Sequence, residues 1–272
     1  MKYCRFLYGG QILYGAVDMR GESLQIVGLI DAPAEDLRFR LGRSSASAFS
    51  HSFQPIPLSA ADLLPPVTPS KIICVGRNYR EHAQELGNEI PAEPLLFFKP
   101  PSSLLRPGGV VVLPAASERV DFEGELALVI GQRTRNLKPN EDWREVVRGF
   151  TLANDISARD LQKKDVQWAR AKGFDTFCPV GPMVSDELDI ENGATIETRV
   201  NGELRQQAST RDLIFPVPVL LCHISAAFTL EPGDLILTGT PSGVGPLKHG
   251  DRVEVSIAGL GVLVNTIEAE AV

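Results

Sequence analysis

Short apolar runs separated by turn residues dominate the chain, a pattern typical of β-strands. In the first 60 residues, YCRFLY, QILYGAVD and SLQIVGLI alternate with Gly, Asp and Glu. Further runs follow from Lys71 onward, among them KIICVG, LLFFKP, ELALVIG and LGVLVNTIEA. An Asn-Gly pair at 201 and 202 predicts a β-hairpin. We therefore predict a mainly β protein with a few helices, folded as a sandwich or roll.

Helical signals are confined to three segments. In RNYREHAQELG, Asn78 can cap the first turn and Gly87 can end the helix in the left-handed conformation. A second helix is predicted over residues 157–171, with Ser157 as N-cap and Asp160 completing a variant capping box. A third is predicted through PVPVLLCHISAAF, whose prolines suit a first helical turn.

A proline-dense segment, LLPPVTPSK, predicts a domain boundary near Pro66. It follows a serine-rich patch, RSSASAFSHSF, at 43–53. We expect a small β-rich N-terminal domain over 1–65 and a second domain over 66–272.

Composition excludes several classes of function. The chain has 272 residues, 43% hydrophobic and 22% charged, as in soluble globular proteins. A formal net charge of -7 offers no basis for nucleic-acid binding. The four cysteines form no Cys-x-x-Cys pair, which indicates reduced thiols. No apolar stretch suits a membrane helix or signal peptide, so we expect a cytoplasmic protein with no membrane partner.

Three acids are candidates for a divalent metal site. In VDFEGELALVIG, the strand period puts Glu123 and Glu125 on one face, with carboxylates about 6 to 7 Å apart. The apolar run that follows implies burial, and buried carboxylates must be protonated or neutralised by a cation. Asp155 ends a later predicted strand and faces the start of a helix. Oxygen ligands favour Mg²⁺, Mn²⁺ or Ca²⁺; alternatively, the strand frays at Gly124 and water covers both glutamates.

Other polar residues suit acid-base chemistry or anion binding. His82 and Glu85, three apart on a predicted helix, are adjacent, so the carboxylate can orient the imidazole, although the pair can equally be an ordinary surface contact. Lys172 follows the second predicted helix and can stabilise an enolate or simply satisfy the helix dipole.

Two further features offer contacts for a ligand. Arg159 and Gln162 share a helix face and can meet one ligand, or they can be surface polar residues. In LILTGTPSGVG, at 235–245, backbone N–H groups can surround a small carboxylate, or the segment is a plain glycine turn. It lacks the residues of a P-loop or dinucleotide site.

Several of these segments occur together in one order: GRNYxxHxxE, FxKPxSS, DxExELAxVIG, NDxSARDxQ, AKGFDTFxPxGP and LxTGTPxGVG. From Lys71 to the C-terminus the chain resembles the fumarylacetoacetate hydrolase family, in particular the short bacterial members of its acylpyruvase, oxaloacetate decarboxylase and hydroxymuconate isomerase branch. Its short N-terminal part is unlike the larger N-terminal domain of fumarylacetoacetase, which argues against that substrate. The resemblance implies a mixed β-sandwich roll and a homodimer.

The resemblance also implies roles for individual residues. Glu123, Glu125 and Asp155 match the ligands of one Mg²⁺ or Mn²⁺ ion. His82 and Glu85 match an acid-base dyad on a lid helix. Lys172 matches the active-site lysine. The contacts to the substrate's carboxylate and oxo groups match Arg159, Gln162 and Thr240.

The implied reaction is hydrolysis of a C–C bond in an acylpyruvate-type substrate, a 2,4-dioxo acid, through a stabilised enolate. The substrate is thus a small 2-oxo acid or diacid. The same site can serve oxaloacetate decarboxylation or isomerisation of 2-hydroxyhepta-2,4-diene-1,7-dioate. A non-catalytic alternative is a carboxylate-binding protein with a structural ion, but such a protein has no need for His82 beside Glu85.

Overall fold

Strands dominate the computed structural model, which describes residues 1–33, 53–85, 87 and 89–271. Within those residues the strands in chain order are β1 Lys2–Tyr8, β2 Gln11–Arg20, β3 Ser23–Ile30, β4 Ile56–Pro57, β5 Asp62–Leu64, β6 Ile72–Gly76, β7 Leu95–Lys99, β8 Leu104–Leu105, β9 Val110–Leu113, β10 Val120–Phe122, β11 Gly124–Ile130, β12 Val147–Asn154, β13 Ser157–Ala158, β14 Cys178–Ser185, β15 Thr195–Val200, β16 Glu203–Ser209, β17 Leu235–Leu237, β18 Gly245–Pro246, β19 Arg252–Ile257 and β20 Gly261–Ala269. The mainly β fold predicted from the sequence is confirmed.

The described strands form three sheets. The largest has the order β4-β3-β2-β1-β14-β12-β11-β17-β6-β7, with β5 paired to β1 and β8 to β14. A second has the order β16-β15-β19-β20-β9, and a small third one has the order β13-β10-β18. Most neighbours are antiparallel, but three pairs run parallel: β17 with β6, β20 with β9 and β14 with β8. The main core includes inward-facing side chains of β11, β12 and β17 from the first sheet and of β15 and β19 from the second.

The strands of the N-terminal segment form where the apolar runs predict them. They join the largest sheet through β1, which pairs with β14 at Lys2 and Tyr3. The boundary near Pro66 stays a prediction, and the serine-rich patch lies, apart from Phe53, outside the described residues. The hairpin at 201–202 is confirmed. Asn201 and Gly202 have φ values of 53° and 83°, the pair of positive angles that a two-residue hairpin turn requires.

The helices agree only in part with the predictions. Described helices are α1 Arg80–Glu85, α2 Arg159–Lys164, α3 Ala169–Gly173 and α4 Val217–Ala227. The third predicted helix is confirmed as α4, with prolines in its first turn. The single helix predicted over 157–171 is wrong, because the chain leaves the helical conformation at Asp165 and forms two short helices.

Both predicted N-caps are wrong. The side chain of Asn78 does not cap α1; its oxygen accepts from Phe215 N at 2.8 Å and its amide donates to Thr238 O at 2.8 Å. The hydroxyl of Ser157 donates to Asp155 O at 2.9 Å, so it does not cap α2. Each polar side chain is instead used in a contact outside its own helix. Gly87, with φ of 67°, has the left-handed conformation predicted for it.

The state of the cysteines and the length of the described helices bear on two of the classes considered from composition. The four cysteines are free thiols, as predicted, and burial raises the pKa of Cys178 to about 12. Among the described helices none has the length and apolar character needed to cross a membrane.

Candidate active site

Three buried carboxylates meet where β11 begins beside the end of β12. Gly124 pairs with Asn154 across these strands, so Glu123 and Asp155 lie next to each other, and Asp155 N donates to Glu123 O at 2.8 Å. Glu125 follows one residue into β11. One carboxylate oxygen from each of the three acids lies within 4.8 Å of the others. The structure thus brings together the three acids singled out as metal ligands.

Three cations surround this acid cluster. Lys172 Nζ lies 2.8 Å from Glu123 Oε2 and 2.6 Å from Asp155 Oδ2. Lys99 Nζ lies 2.6 Å from the other oxygen of Asp155. The guanidinium of Arg159 pairs with Glu123 through Nη2. Both lysine side chains are almost wholly buried, so their charges offset those of the acids at low effective dielectric.

Glu125 differs from the other two acids because no cation of the described residues forms an ion pair with it. Its Oε2 accepts a backbone hydrogen bond from Gly239 N at 2.6 Å. Burial, helped by the charges of Asp155 and Glu123, raises the pKa of Glu125 well above its usual range. Burial also disfavours ionised Glu123, but Arg159 and Lys172 outweigh it and lower the pKa of Glu123. The charge of Glu123 is therefore balanced by nearby cations, whereas Glu125 has no cation of its own among the described residues.

The chemistry of this donor set fits a hard divalent cation. Two oxygens bound to such an ion, each at about 2.1 to 2.5 Å from it, lie at most about 4.2 to 5 Å apart, and the three carboxylates fall within that limit. All the donors are oxygens, which Mg²⁺, Mn²⁺ and Ca²⁺ prefer. A divalent ion would also supply the positive charge that Glu125 lacks.

His82 and Glu85 both line the cavity above the acids. His82 Nδ1 lies 3.4 Å from Glu85 Oε2, so the structure brings the two residues together as the helical spacing predicts. Burial lowers the pKa of His82 despite the opposing charge of Glu123. The imidazole is therefore neutral near pH 7 and can accept a proton. Glu85 also accepts from Gly243 N, at 3.0 and 3.2 Å, which ties α1 to the loop after β17.

The three residues singled out as substrate contacts line the same cavity, but protein groups already use much of their hydrogen-bonding capacity. Arg159 donates from Nε to Asp121 at 2.9 Å and from Nη1 to Gln162 at 2.9 Å, besides its bond to Glu123. Thr240 donates to Gly124 O at 2.9 Å. Arg159 therefore contributes chiefly to the balance of charge among the acids.

Two backbone N–H groups of the glycine-rich loop already donate hydrogen bonds within the protein. Gly239 N donates to Glu125 and Gly243 N donates to Glu85, so the carboxylates these groups meet belong to the protein itself. These two groups do not form the anion cradle expected at 235–245, and a cradle built from the loop's other N–H groups stays a prediction. The loop instead orients two acidic side chains of the cavity.

Sequence reasoning missed two site residues. Lys99 ends an apolar strand, LLFFK, and a charge in such a run was the available signal. Gln206, on β16, accepts from Gly124 N at 3.0 Å and donates to Thr240 Oγ1 at 2.8 Å and Pro241 O at 2.7 Å. It comes from another sheet, so no local pattern could place it beside the acids.

The site contains a cavity of about 510 Å³, whose lining includes the three acids, His82 and Lys172. The acids lie on one part of its wall, and Val75, Phe97 and Trp168 provide an apolar part. Phe97 and Trp168 pack edge to face with centroids 5.3 Å apart. The cavity thus suits a small molecule with polar groups at one end and an unsaturated or aliphatic chain.

Known proteins share this sequence and fold. The family model for the fumarylacetoacetate (FAA) hydrolase C-terminal domain matches residues 71–268. An uncharacterized protein of Archaeoglobus fulgidus is 50% identical over 211 residues, covering 78% of this chain and 84% of that protein. The mitochondrial oxaloacetate tautomerase Fahd2a of Rattus norvegicus is 43% identical over 223 residues, covering 78% and 71%.

A solved structure agrees over nearly the whole chain. The 5-carboxymethyl-2-hydroxymuconate delta-isomerase from Mycobacterium smegmatis is 36% identical, covers 99% of this chain and 100% of its own, and superposes with a TM-score of 0.84. The resemblance inferred from the motifs is thereby confirmed. The chain belongs to the fumarylacetoacetate hydrolase family.

Proposed function

We propose that this protein is a divalent-metal-dependent enzyme that hydrolyses a C–C bond of an acylpyruvate-type 2-oxo acid. The observation that carries the proposal is the buried acid cluster, in which Glu125 has no cationic partner among the described residues while His82 stands in the same cavity. A buried carboxylate of this kind is either protonated or neutralised by a further cation, and a 2-oxo acid offers oxygens to such a cation.

Glu123, Glu125 and Asp155 would hold one Mg²⁺ or Mn²⁺ ion. When bound, the ion supplies a Lewis acid for the oxo and carboxylate oxygens of the substrate. Lys99 and Lys172 donate to the two oxygens of Asp155, and Lys172 also donates to Glu123, so both ammonium groups lie directly against the cluster. The protein therefore supplies oriented ligands and limits their mutual repulsion.

His82 would act as the general base. Its Nδ1 faces Glu85, which leaves Nε2 as the atom that takes a proton from water. The resulting hydroxide attacks the distal carbonyl of the substrate, the C–C bond breaks, and its electron pair forms the enolate of the 2-oxo acid product. The proton held by His82 then passes to the enolate carbon, which completes the product and restores the base. Lys172 and Gln162 would stabilise the negative charge that develops on oxygen.

Tautomerisation or isomerisation of a 2-oxo diacid is a second candidate. One observation favours it: the rat relative is named an oxaloacetate tautomerase and the Mycobacterium smegmatis structure a delta-isomerase. In that reaction His82 moves a proton between carbon and solvent and no water attacks carbon. The same acids and the same base serve both reactions.

A turnover screen separates the candidates. Metal-free protein is assayed with acetylpyruvate, fumarylpyruvate, oxaloacetate and a hydroxymuconate-type diacid, before and after Mg²⁺ or Mn²⁺ is added. Acetylpyruvate hydrolysis yields pyruvate and acetate, decarboxylation of oxaloacetate yields pyruvate and CO₂, and tautomerisation changes enol absorbance without pyruvate.

We expect activity only with the ion, and a weaker apparent affinity for the ion in Asp155→Asn, which removes a charge and keeps the shape. Full activity in a preparation that elemental analysis shows to be metal-free overturns the metal requirement. Metal and oxalate binding without turnover of any substrate favours the carboxylate-binding alternative.

A further inference from the structure

The cavity contains positive charge that the acid cluster does not use. Lys99, Arg159 and Lys172 each pair with a buried acid. Arg77 and Lys163 line the same cavity, and no described group forms an ion pair or hydrogen bond with either side chain. An anionic group on a ligand can therefore be met by these two cations without breaking an existing ion pair.

The backbone of Arg77 is held in an unusual conformation. Its φ of 57° lies in the left-handed region, which glycine enters freely and other residues enter at an energetic cost. The next residue, Asn78, is fixed by hydrogen bonds of 2.8 Å to both Phe215 N and Thr238 O. Such strain persists where the surroundings impose it. Because the backbone of Arg77 is fixed in this way, the position from which its side chain leaves the main chain at the cavity is fixed as well.

Arg77 suits a carboxylate better than Lys163 does. Arg77 is half-buried, whereas Lys163 is exposed on α2. A guanidinium presents two parallel N–H groups that match both oxygens of a carboxylate, and partial burial strengthens the pairing. Lys163 offers a flexible, hydrated point charge instead.

We propose that Arg77 binds the distal carboxylate of the substrate and makes the enzyme selective for 2-oxo diacids over 2-oxo monoacids. The inference rests on the proposed function, since the 2-oxo end of the substrate is assigned to the acid cluster. Two aromatic rings connect these ends. Phe97 lies under Lys172 Nζ at 4.9 Å and packs against Trp168. Trp168 lies beside Gly76, the neighbour of Arg77. Arg77 is thus a specificity determinant that contacts substrate away from the bond that reacts.

Binding of two matched acids tests this assignment without turnover. 2-Oxoglutarate and 2-oxopentanoate have the same number of carbons, but only the first ends in a carboxylate. Calorimetry in saturating Mg²⁺ measures both dissociation constants for the wild type, Arg77→Gln, Arg77→Lys and Lys163→Gln. A charge-assisted hydrogen bond corresponds to about 10- to 100-fold in affinity, so we expect the wild type to prefer the diacid by that factor.

Arg77→Gln should lose this preference while its affinity for 2-oxopentanoate changes less than about twofold, and Arg77→Lys should keep part of it. Equal binding of both acids by the wild type overturns the inference and leaves the proposed function standing. So does an Arg77→Gln variant that loses affinity for both acids equally, or a preference that Lys163→Gln abolishes and Arg77→Gln leaves intact. Binding of neither acid by the wild type overturns the proposed function, and this inference with it.

Discussion

The charge on Lys172 offers a direct measure of how strongly the acid cluster depends on its buried cations. Lys172→Met removes the ammonium, which lies 4.9 Å from the centre of the Phe97 ring, and retains an unbranched side chain of similar length. Glu123 and Asp155 then lose the ion pairs at 2.8 and 2.6 Å. Both carboxylates remain buried, and each keeps a single cation, Arg159 for Glu123 and Lys99 for Asp155.

The size of the effect follows from these distances. At an effective dielectric of about 20, charges separated by 2.6 to 2.8 Å attract by about 6 kcal/mol per pair. The desolvation cost of Lys172 opposes this attraction, and removing one partner of a buried ion pair typically costs about 3 to 5 kcal/mol. For a chain of this size each kcal/mol lowers the melting temperature by about 2 to 4 °C, so Lys172→Met should melt about 6 to 20 °C below the wild type.

Thermal unfolding with and without a divalent ion is the assay. Because Mg²⁺ or Mn²⁺ restores positive charge at the same carboxylates, the ion should raise the melting temperature of Lys172→Met more than that of the wild type. Lys248→Met is the matched control, since this lysine is exposed and lies outside the cavity. A melting temperature within about 2 °C of the wild type would refute the charge argument. Equal metal-induced stabilisation of both proteins would show that Lys172 and the ion act independently.

Three further predictions concern His82, the glycine between Glu123 and Glu125, and helix α1. His82→Ala should lower kcat by about 10²- to 10⁴-fold and leave oxalate affinity in Mg²⁺ unchanged, whereas an unchanged kcat would make His82 an ordinary polar residue. Gly124→Ala places a Cβ 2.0 Å from Thr198 Oγ1, so it should cost about 1 to 3 kcal/mol of unfolding free energy and weaken Mn²⁺ binding. Adding Thr198→Ala should recover part of both losses. Equal Mn²⁺ affinity of Gly124→Ala and the wild type would contradict the view that close packing at Gly124 positions the two glutamates beside it. Hydrogen exchange across 77–89, of which 86 and 88 lie outside the described residues, should slow when oxalate and Mg²⁺ bind; high protection that ligand leaves unchanged would exclude gating by α1.

Local patterns predicted those elements whose cause is local. The hairpin at 201–202 forms because Asn and Gly tolerate positive φ at adjacent positions. Helix α4 begins at its prolines because their φ suits a first turn. In both cases the residues that determine the structure are neighbours along the chain, so a short window of sequence contains the whole explanation.

The two N-cap predictions failed because a polar side chain can be used elsewhere. Asn78 bonds to groups 137 and 160 residues away, and this anchoring replaces the local cap. Asp160 accepts from Ser117 Oγ at 2.5 Å, a contact across 43 residues. Capping preferences describe the hydrogen bonds of a side chain that has no competing partner nearby. The tertiary structure determines whether such a partner is present.

The acids of the candidate site could be found from sequence because their pattern carries a physical conflict. Two glutamates ahead of an apolar run must be neutralised if they are buried, whatever the remaining fold. Which cations do this could not be derived locally. Lys99 reaches Asp155 across 56 residues and Arg159 reaches Glu123 across 36 residues, contacts that depend on how the strands pair.

The division of positive charge in the cavity also constrains how a substrate can lie there. A 2-oxo diacid brings two negative charges into a space lined by Glu123, Glu125 and Asp155. Lys99 and Lys172 already pair with Asp155, so a substrate carboxylate that took either lysine would remove one of the two cations that this buried acid meets. The first carboxylate therefore requires added positive charge at the acids, and the second requires a cation outside the cluster. A divalent ion held by the acids would satisfy the first condition and Arg77 the second, so the proposed chemistry of the cluster and the proposed selectivity of the cavity rest on a single balance of charge.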